Sequence, residues 1–234
     1  MRDEEEPLKP ESPKRGGGES GWRAKRANMV ERLVDEGILS SRSIIEAFLS
    51  VPRELFLPAA MRAHAYEDEP LPIGYGQTIS APHMVGIMCE ALELQGGQKV
   101  LEIGCGSGYH AAITASAVGG GGTVFSVERH NRLARAAAAN LAKAGIANVR
   151  VVEGDGSCGL AKEAPFDRIY VTCAAPRVPP PLVEQLKPGG ILLVPVGNIF
   201  CELVRIKKDE NGGGCSSERL GGCAFVPLRG KYGF

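Results

Sequence analysis

Three glycines at alternating positions, Gly104, Gly106 and Gly108, follow a short apolar run and precede a segment with helical spacing. Because glycine has no β-carbon, such a loop turns tightly and lets a nucleoside approach the main chain at the start of a helix. The spacing G-x-G-x-G is one residue shorter than the dinucleotide fingerprint G-x-G-x-x-G, whose extra residue shapes a pyrophosphate site. The loop therefore favours a nucleoside cofactor, and a dehydrogenase stays an alternative.

Two carboxylates follow the next predicted strands, and parallel strands open their carboxyl ends into one crevice. Glu128 can accept hydrogen bonds from both hydroxyls of a ribose, and Asp155 is placed to accept from an adenine amino group. Taken singly, Gly154 and Gly156 could only form a turn, and Glu128 could only cap the next helix. In this order along the chain, the glycine loop and both acids together predict nucleoside binding.

A polar run over residues 77–84, Gln-Thr-Ile-Ser-Ala-Pro-His-Met, precedes a predicted helix over residues 81–94. Ser80 is predicted to be its N-cap, with its oxygen accepting the N–H of His83 and its hydroxyl proton free for a substrate carboxylate. The helix N-terminus adds a partial positive charge, although Pro82 removes one N–H. The alternative is that Ser80 serves only as a cap and that His83 is a packed or solvated helix residue.

Three further segments precede the polar run over residues 77–84. Helical spacing predicts a helix over residues 22–37 and another that ends near Leu49, capped by Ser40 or Ser41. Val51-Pro52 ends the second helix, since a residue before proline avoids the α region. Residues 58–76 read as short turns, and Gly96-Gly97 terminates the helix over residues 81–94.

From residue 99 onward, short apolar strands alternate with helices, which is typical of a parallel sheet covered on both faces. Residues 201–207 and 223–228 break this alternation and predict an antiparallel hairpin joined by a mobile polar loop over residues 208–222. The expected fold is α/β, with a doubly wound, mostly parallel sheet, an antiparallel C-terminal hairpin and an N-terminal helical segment. The predicted strands are 99–103, 123–127, 149–152, 166–172 and 191–195, and the helices between them are 109–118, 131–144 and 181–186.

Composition narrows the class of protein. The chain has 234 residues, 44% of them hydrophobic, which is enough for one α/β core. Lys+Arg and Asp+Glu are both 27, so no net basic field gathers nucleic acid. Seven scattered cysteines without a Cys-x-x-Cys pair indicate reduced thiols in a cytoplasmic protein and no metal site. We expect a monomer without a nucleic-acid or membrane partner.

The domain organisation follows from the same patterns. Residues 1–21 are charged and rich in Pro, Gly and Ser, which predicts a disordered leader. Residues 22–234 then form one domain. It divides into an N-terminal helical and substrate-loop segment, 22–95, and a cofactor-binding core, 96–234.

From about Asn28 to its end, the sequence resembles the protein-L-isoaspartate (D-aspartate) O-methyltransferase family. The run over residues 77–84 is narrow in its distribution, whereas the glycine loop and a Pro-Gly-Gly turn occur in many methyltransferases. The departures are Glu102, where many members carry aspartate, the leader, and the insertion over residues 208–222. The resemblance is carried by residues 77–84, 101–108, 154–156, Ala174-Ala175-Pro176, 186–190, Pro195-Val196-Gly197 and Val226-Pro227-Leu228.

The resemblance implies a Rossmann-like fold that binds S-adenosyl-L-methionine and methylates the α-carboxylate of L-isoaspartyl residues in damaged proteins and peptides, which starts repair through a succinimide. It makes Ser80 the catalytic residue and assigns the substrate groove to Ser80, Val226, Pro227 and Leu228. The implied cofactor-binding residues are Gln77, Thr78, Ile79, Ser80, Glu102, Gly104, Gly106, Ser107, Gly108, Glu128, Arg129, Asp155 and Gly156.

This chemistry needs few catalytic groups. A carboxyl with an ordinary pKa of about 3.5 to 4 is already ionised at pH 7, so no general base is required. The enzyme must instead hold the reacting atoms in line, which suits a positioned hydroxyl such as that of Ser80. Two alternatives are a methyltransferase for RNA or a small metabolite, and a module that binds the cofactor without turnover.

Overall fold

The computed structural model describes residues 19–198 and 200–234. Residues 1–18 of the expected leader lie outside the described residues, whereas residues 19–21 form the first turn of α1 (Glu19–Asp35). Helix α2 (Arg42–Ser50) follows, and two short 3₁₀ turns, Arg53–Phe56 and Ala59–His64, connect it to the next segment. Ser41 lies at the N-cap position of α2, but its hydroxyl bonds to Glu90 (2.6 Å) rather than capping the helix.

A small hairpin precedes helix α3 (Pro82–Ala91), where the sequence predicted only turns. Strands β1 (Leu71–Gly74) and β2 (Gln77–Ile79) pair antiparallel, with Leu71 opposite Ile79. Three successive residues with positive φ, Gly74 (94°), Tyr75 (55°) and Gly76 (69°), turn the chain between the strands. A tyrosine rarely adopts a positive φ, so the sequence around Tyr75 did not indicate a hairpin turn.

The main sheet has seven strands in the order β5-β4-β3-β6-β7-β8-β9. The first five in this order are parallel, and β8 and β9 continue antiparallel. The chain reverses its direction of travel across the sheet between β3 and β6, which creates a switch point at their carboxyl ends. The strands are β3 (Lys99–Ile103), β4 (Thr123–Glu128), β5 (Val149–Glu153), β6 (Phe166–Val171), β7 (Leu186–Gly197), β8 (Cys201–Lys208) and β9 (Cys215–Cys223).

Three helices connect the parallel strands: α4 (Tyr109–Val118), α5 (Asn131–Lys143) and α6 (Pro180–Glu184). Alternate strand residues enter opposite cores, so Val100 packs with the α1–α5 side and Leu101 with the α6 side. Burial on both faces explains the consecutive apolar residues Val100-Leu101 in β3 and Ile191-Leu192-Leu193-Val194 in β7. The doubly wound, mostly parallel sheet is therefore confirmed.

The C-terminal hairpin is confirmed, but its second strand was predicted in the wrong place. Strand β9 (Cys215–Cys223) occupies most of the polar stretch that was expected to be a loop, and only residues 209–214 connect it to β8. Nearly all of β9 is exposed because it is an edge strand, so no apolar alternation marks it. Residues 224–228 form no strand; instead Val226 and Leu228 bond through their main chains to Ala174 at 2.8 Å.

All seven cysteines are free thiols, and four of them, including Cys89 and Cys105, are buried. Within the described ranges, no helix combines the length and apolar composition that crossing a bilayer requires.

Candidate active site

A crevice lies at the carboxyl ends of β3, β4 and β6, at the switch point of the sheet. We call it the nucleoside crevice, and it opens into a smaller inner chamber beside the start of α4 and into a wider outer groove beside residues 222–227. Thr78 and Thr172 line all three spaces, so they mark the junction. Of the predicted residues, the nucleoside crevice is lined by Gln77, Thr78, Gly104, Gly106, Glu128, Arg129, Gly156, Val226, Pro227 and Leu228.

The glycine loop packs so closely on β6 that a side chain has no room at its first position. Gly104 has a φ of 96°, and a β-carbon there would lie 2.3 Å from Thr172 Oγ1. The Thr172 hydroxyl donates to the Gly104 carbonyl at 2.6 Å, which fixes the loop. Gly108 (φ 91°) is the N-cap of α4 and faces Ala137 and Leu141, so it shapes the loop from behind rather than lining a cavity.

Glu128 ends β4 and is only 6% exposed. Its Oε2 accepts the N–H of Gly106 at 2.9 Å and its Oε1 accepts the N–H of His130 at 2.8 Å. The carboxylate therefore ties the glycine loop to the start of α5 at the crevice wall. Each oxygen keeps a second acceptor site, which is what binding a ribose diol requires.

Asp155 does not line any of the three spaces, unlike its neighbour Gly156. Its carboxylate accepts from the Ser157 N–H (2.9 Å), the Ser157 hydroxyl (2.7 Å) and the Lys231 N–H (2.8 Å). Partial burial works to raise its pKa, but the bonds from Lys231 and Ser157 outweigh it and lower the pKa below the ordinary value. Asp155 thus fastens the C-terminal turn beside the crevice, and its predicted adenine contact stays a prediction.

Replacing Asp155 by alanine is expected to weaken binding of S-adenosylhomocysteine about tenfold. The change releases Ser157, next to the crevice residue Gly156, and removes an acceptor from the adenine side. Calorimetry measures the dissociation constant. Asp167→Ala is the matched control, because Asp167 accepts from Lys99 N (2.8 Å) and Lys187 Nζ (2.7 Å) without lining these spaces. Equal affinities of the Asp155 variant and wild type would refute the adenine contact.

The inner chamber collects buried polar atoms that lack partners. Among the described residues, Glu102 Oε1, Ser107 Oγ, Tyr109 Oη and His110 Nδ1 are buried without a hydrogen bond, and all four residues line this chamber. Unpaired buried polar groups are costly, so the arrangement indicates a polar ligand. A free amino acid group, with an ammonium and a carboxylate, matches acceptor and donors of this kind. The residues therefore fit the methionyl end of S-adenosyl-L-methionine.

Burial sets the protonation of this chamber. Glu102 is fully buried, which raises its pKa to about 8, although a hydrogen bond from Ser126 acts against the shift. Burial also lowers the pKa of His110 to about 3, so its imidazole is neutral at pH 7. At neutral pH Glu102 is therefore largely protonated. A bound cation would favour its ionised form.

Binding of S-adenosylhomocysteine is expected to tighten as the pH rises from 6 to 7.5. A Glu102 that pairs with the ligand's ammonium must first ionise, so below pH 8 the dissociation constant is expected to fall by up to about tenfold per pH unit. Without ligand the sign is opposite: the folded carboxyl holds its proton up to about pH 8, so the free energy of unfolding falls as pH rises from about 4.5.

Calorimetry at several pH values measures the change, and buffers with different ionisation enthalpies count the released proton. The Glu102→Gln variant, which cannot ionise, is the control and is expected to show a flat profile. A wild-type dissociation constant that stays constant over this range would contradict the assigned ammonium contact.

Ser80 follows β2 and lines both the inner chamber and the outer groove. Its predicted capping role is wrong: the N-cap position of α3 is Ala81, and the His83 N–H bonds to Asp68 Oδ1 at 2.9 Å. The loop before β1 brings this carboxylate over the helix N-terminus, where a negative charge is a favoured cap. Asp68 also contacts His83 Nδ1 at 3.1 Å, so the Ser80 hydroxyl is released for a ligand.

The outer groove runs from α3 to the segment after β9. The predicted substrate residues Ser80, Val226 and Pro227 line it, while Leu228 is buried and reaches only the nucleoside crevice. Ile79, Glu102 and Ser107 line the inner chamber as expected from the cofactor set. Sequence reasoning missed Thr172, although it ends a predicted strand and the strand-end rule could have found it.

The fold and the site define this chain as a Rossmann-like S-adenosylmethionine-dependent methyltransferase, with a sheet switch point, a glycine loop and an inner chamber lined by buried polar side chains. The family model described as "Protein-L-isoaspartate(D-aspartate) O-methyltransferase (PCMT)" matches residues 24–233. The chain belongs to this family.

Members of the same family are similar to this chain over nearly its whole length. Protein-L-isoaspartate O-methyltransferase 2 of Archaeoglobus fulgidus is 55% identical over 210 residues, which cover 90% of this chain and 95% of that protein. The enzyme of Methanococcoides burtonii is 53% identical over 88% of this chain and all of its own length. A solved protein-L-isoaspartate O-methyltransferase superposes with a TM-score of 0.80 at 33% identity, covering 89% of this chain and 67% of its own.

A second solved structure carries a ligand. It is a Plasmodium falciparum chain assigned to the same enzyme, in complex with S-adenosyl-L-homocysteine, with a TM-score of 0.77 at 26% identity. The superposition covers 87% of this chain and 98% of that one.

Proposed function

We propose that this chain transfers a methyl group from S-adenosyl-L-methionine to the α-carboxylate of L-isoaspartyl residues in damaged proteins and peptides. The observation that carries the proposal is the position of Ser80. Ser80 lines both the inner chamber and the outer groove, and within the described part of the chain its hydroxyl does not cap α3. A peptide in the groove would therefore present its carboxylate beside the chamber that holds the methyl donor.

The chain's residues orient and bind rather than exchange protons. When bound, S-adenosyl-L-methionine supplies a methyl group on a positively charged sulfur. The Ser80 hydroxyl donates to the substrate carboxylate and holds it in line, and no base is needed because the carboxylate is ionised. His83 is held by Asp68, and burial keeps His110 neutral, which supports this assignment.

Further roles follow from the same placement. Glu102 accepts from the ammonium of the cofactor, Ser107 and Tyr109 donate to its carboxylate, and Glu128 accepts from the ribose. Val226 and Pro227 form the wall against which the peptide lies. The peptide nitrogen next to the methyl ester attacks the ester carbonyl, the C–O bond breaks and methanol leaves, which closes a succinimide. The unmethylated carboxylate lacks so good a leaving group, and hydrolysis of the succinimide returns part of the material to aspartate.

We also propose a monomeric cytoplasmic enzyme without a nucleic-acid partner, with residues 22–234 as one domain. Seven free thiols support a reducing compartment, and the balanced charge supports the absence of a nucleic-acid partner. Residues of α1–α3 share one buried core with the sheet, which supports a single domain.

The decisive experiment uses labelled S-adenosyl-L-methionine and paired peptides that differ only in an L-isoaspartyl or L-aspartyl linkage. The proposal expects label only on the isoaspartyl peptide, in a base-labile ester. Equal labelling of both peptides, or none, would refute it. Transfer to RNA or to a small metabolite would support the other methyltransferases, and cofactor binding without any transfer would support a binding module.

A further inference from the structure

Arg53 lies in the 3₁₀ turn Arg53–Phe56, and its side chain is fully buried. Burying a guanidinium is costly unless a carboxylate compensates it. Within residues 19–198 and 200–234, no carboxylate lies within 4.0 Å of it, since the adjacent Glu54 pairs with Arg26 at 3.3 Å. Among the described residues, this guanidinium therefore has no directly paired carboxylate.

The contacts of Arg53 connect two parts of the site, the residues around Ser80 and the start of α4. Its Nε donates to the Ala65 carbonyl and its Nη2 to the Ser80 carbonyl, both at 2.8 Å. Its guanidinium carbon lies 4.7 Å from the ring centroid of Tyr109, the first residue of α4 after the glycine loop. Its Nη1 is buried and has no hydrogen-bond partner among the residues that the structure describes. One planar group therefore fixes the Ser80 main chain against the helix that follows the glycine loop.

We infer that Arg53 is a positioning residue for methyl transfer. The planar fork of N–H donors in its guanidinium fixes the position of Ser80 relative to α4, the helix after the glycine loop, and its positive charge attracts the substrate carboxylate. This inference rests on the proposed function. The two contributions act on different steps. The carboxylate loses its negative charge as it accepts the methyl group, so a nearby cation stabilises the bound substrate more than the transition state. The charge therefore acts on KM, whereas the fork geometry acts on kcat.

Two substitutions separate these contributions. Arg53→Lys keeps the charge but loses the fork, so kcat is expected to fall about tenfold with KM for an isoaspartyl peptide changed less than threefold. Arg53→Met removes both, so kcat falls by about the same factor or less, and KM rises at least about fivefold. Calorimetry with S-adenosylhomocysteine counts binding-competent enzyme, so that rates are expressed per folded site.

Arg26 provides the matched control. It is a buried arginine of the same N-terminal segment, bonded to Tyr66 Oη at 2.8 Å and paired with Glu54, but it does not contact Ser80. Arg26→Lys and Arg26→Met are expected to lower the melting temperature while kcat and KM per folded site stay within twofold of wild type. A purely structural Arg53 would behave in the same way as Arg26.

Hydrogen exchange gives a readout that does not depend on the substrate. Amides of residues 77–84 are expected to exchange at least about fivefold faster in Arg53→Lys than in wild type or Arg26→Lys. If wild type fails to methylate the isoaspartyl peptide, the proposed function falls and this exchange alone decides the positioning role. Wild-type exchange, or wild-type kcat in Arg53→Lys on an active enzyme, overturns the inference even if Arg53→Met does not fold.

Discussion

Replacing Gly104 by alanine is expected to weaken binding of S-adenosylhomocysteine at least about 100-fold. The residue has a φ of 96°, a conformation that costs an alanine about 1–2 kcal/mol. In addition, its β-carbon would lie 2.3 Å from Thr172 Oγ1 and 3.4 Å from Cys173 Sγ. The loop must therefore move off β6, and it carries with it the main chain that lines both the nucleoside crevice and the inner chamber.

Gly97 offers a matched control for the effect of backbone strain. It also has a positive φ, 81°, but a β-carbon there meets nothing within 4 Å, and it lies outside the site. Gly97→Ala is expected to lower the melting temperature and leave the affinity unchanged. The double variant Gly104→Ala, Thr172→Ala removes the hydroxyl that clashes, so part of the affinity should return. A Gly104→Ala dissociation constant within threefold of wild type would contradict the assigned close approach.

The sequence predicts those elements whose burial requires a recognisable pattern of apolar residues. Strand β3 begins and ends at the predicted residues, Lys99 and Ile103, because it is central and buried on both faces. Strand β9 contains Ser216, Ser217 and Glu218 and leaves them in water, so it has no such pattern. The sequence of an exposed edge strand does not differ from that of a polar loop.

The same distinction applies to the site. The glycine loop and Glu128 follow strand ends, so local order along the chain places them together in the crevice. Asp68 and Arg53 reach the substrate loop from 15 and 27 residues away in sequence, through contacts with His83 and Ser80. No local motif marks either contact, since an acid in a polar loop or an arginine beside a turn is typical of a surface. Tertiary packing alone gives these residues their roles.

Replacing Ser80 by alanine is expected to lower kcat/KM for an isoaspartyl peptide by about 10- to 100-fold, which corresponds to about 1–3 kcal/mol of lost hydrogen bonding. The loss is shared between KM, because the hydroxyl binds the carboxylate, and kcat, because it orients that group. Affinity for S-adenosylhomocysteine should change little, since Glu102, Ser107 and Tyr109 still line the inner chamber. Initial rates over a range of peptide concentrations, together with calorimetry, measure both effects.

Stability separates this role from capping. Because Asp68 rather than Ser80 accepts the His83 N–H at the start of α3, Ser80→Ala should leave the free energy of unfolding nearly unchanged. Asp68→Ala removes the actual cap and should lower it by about 1 kcal/mol. A Ser80 variant that unfolds as easily as the Asp68 variant, yet turns over at the wild-type rate, would make Ser80 a structural residue. Loss of turnover at full stability instead assigns its hydroxyl to the substrate.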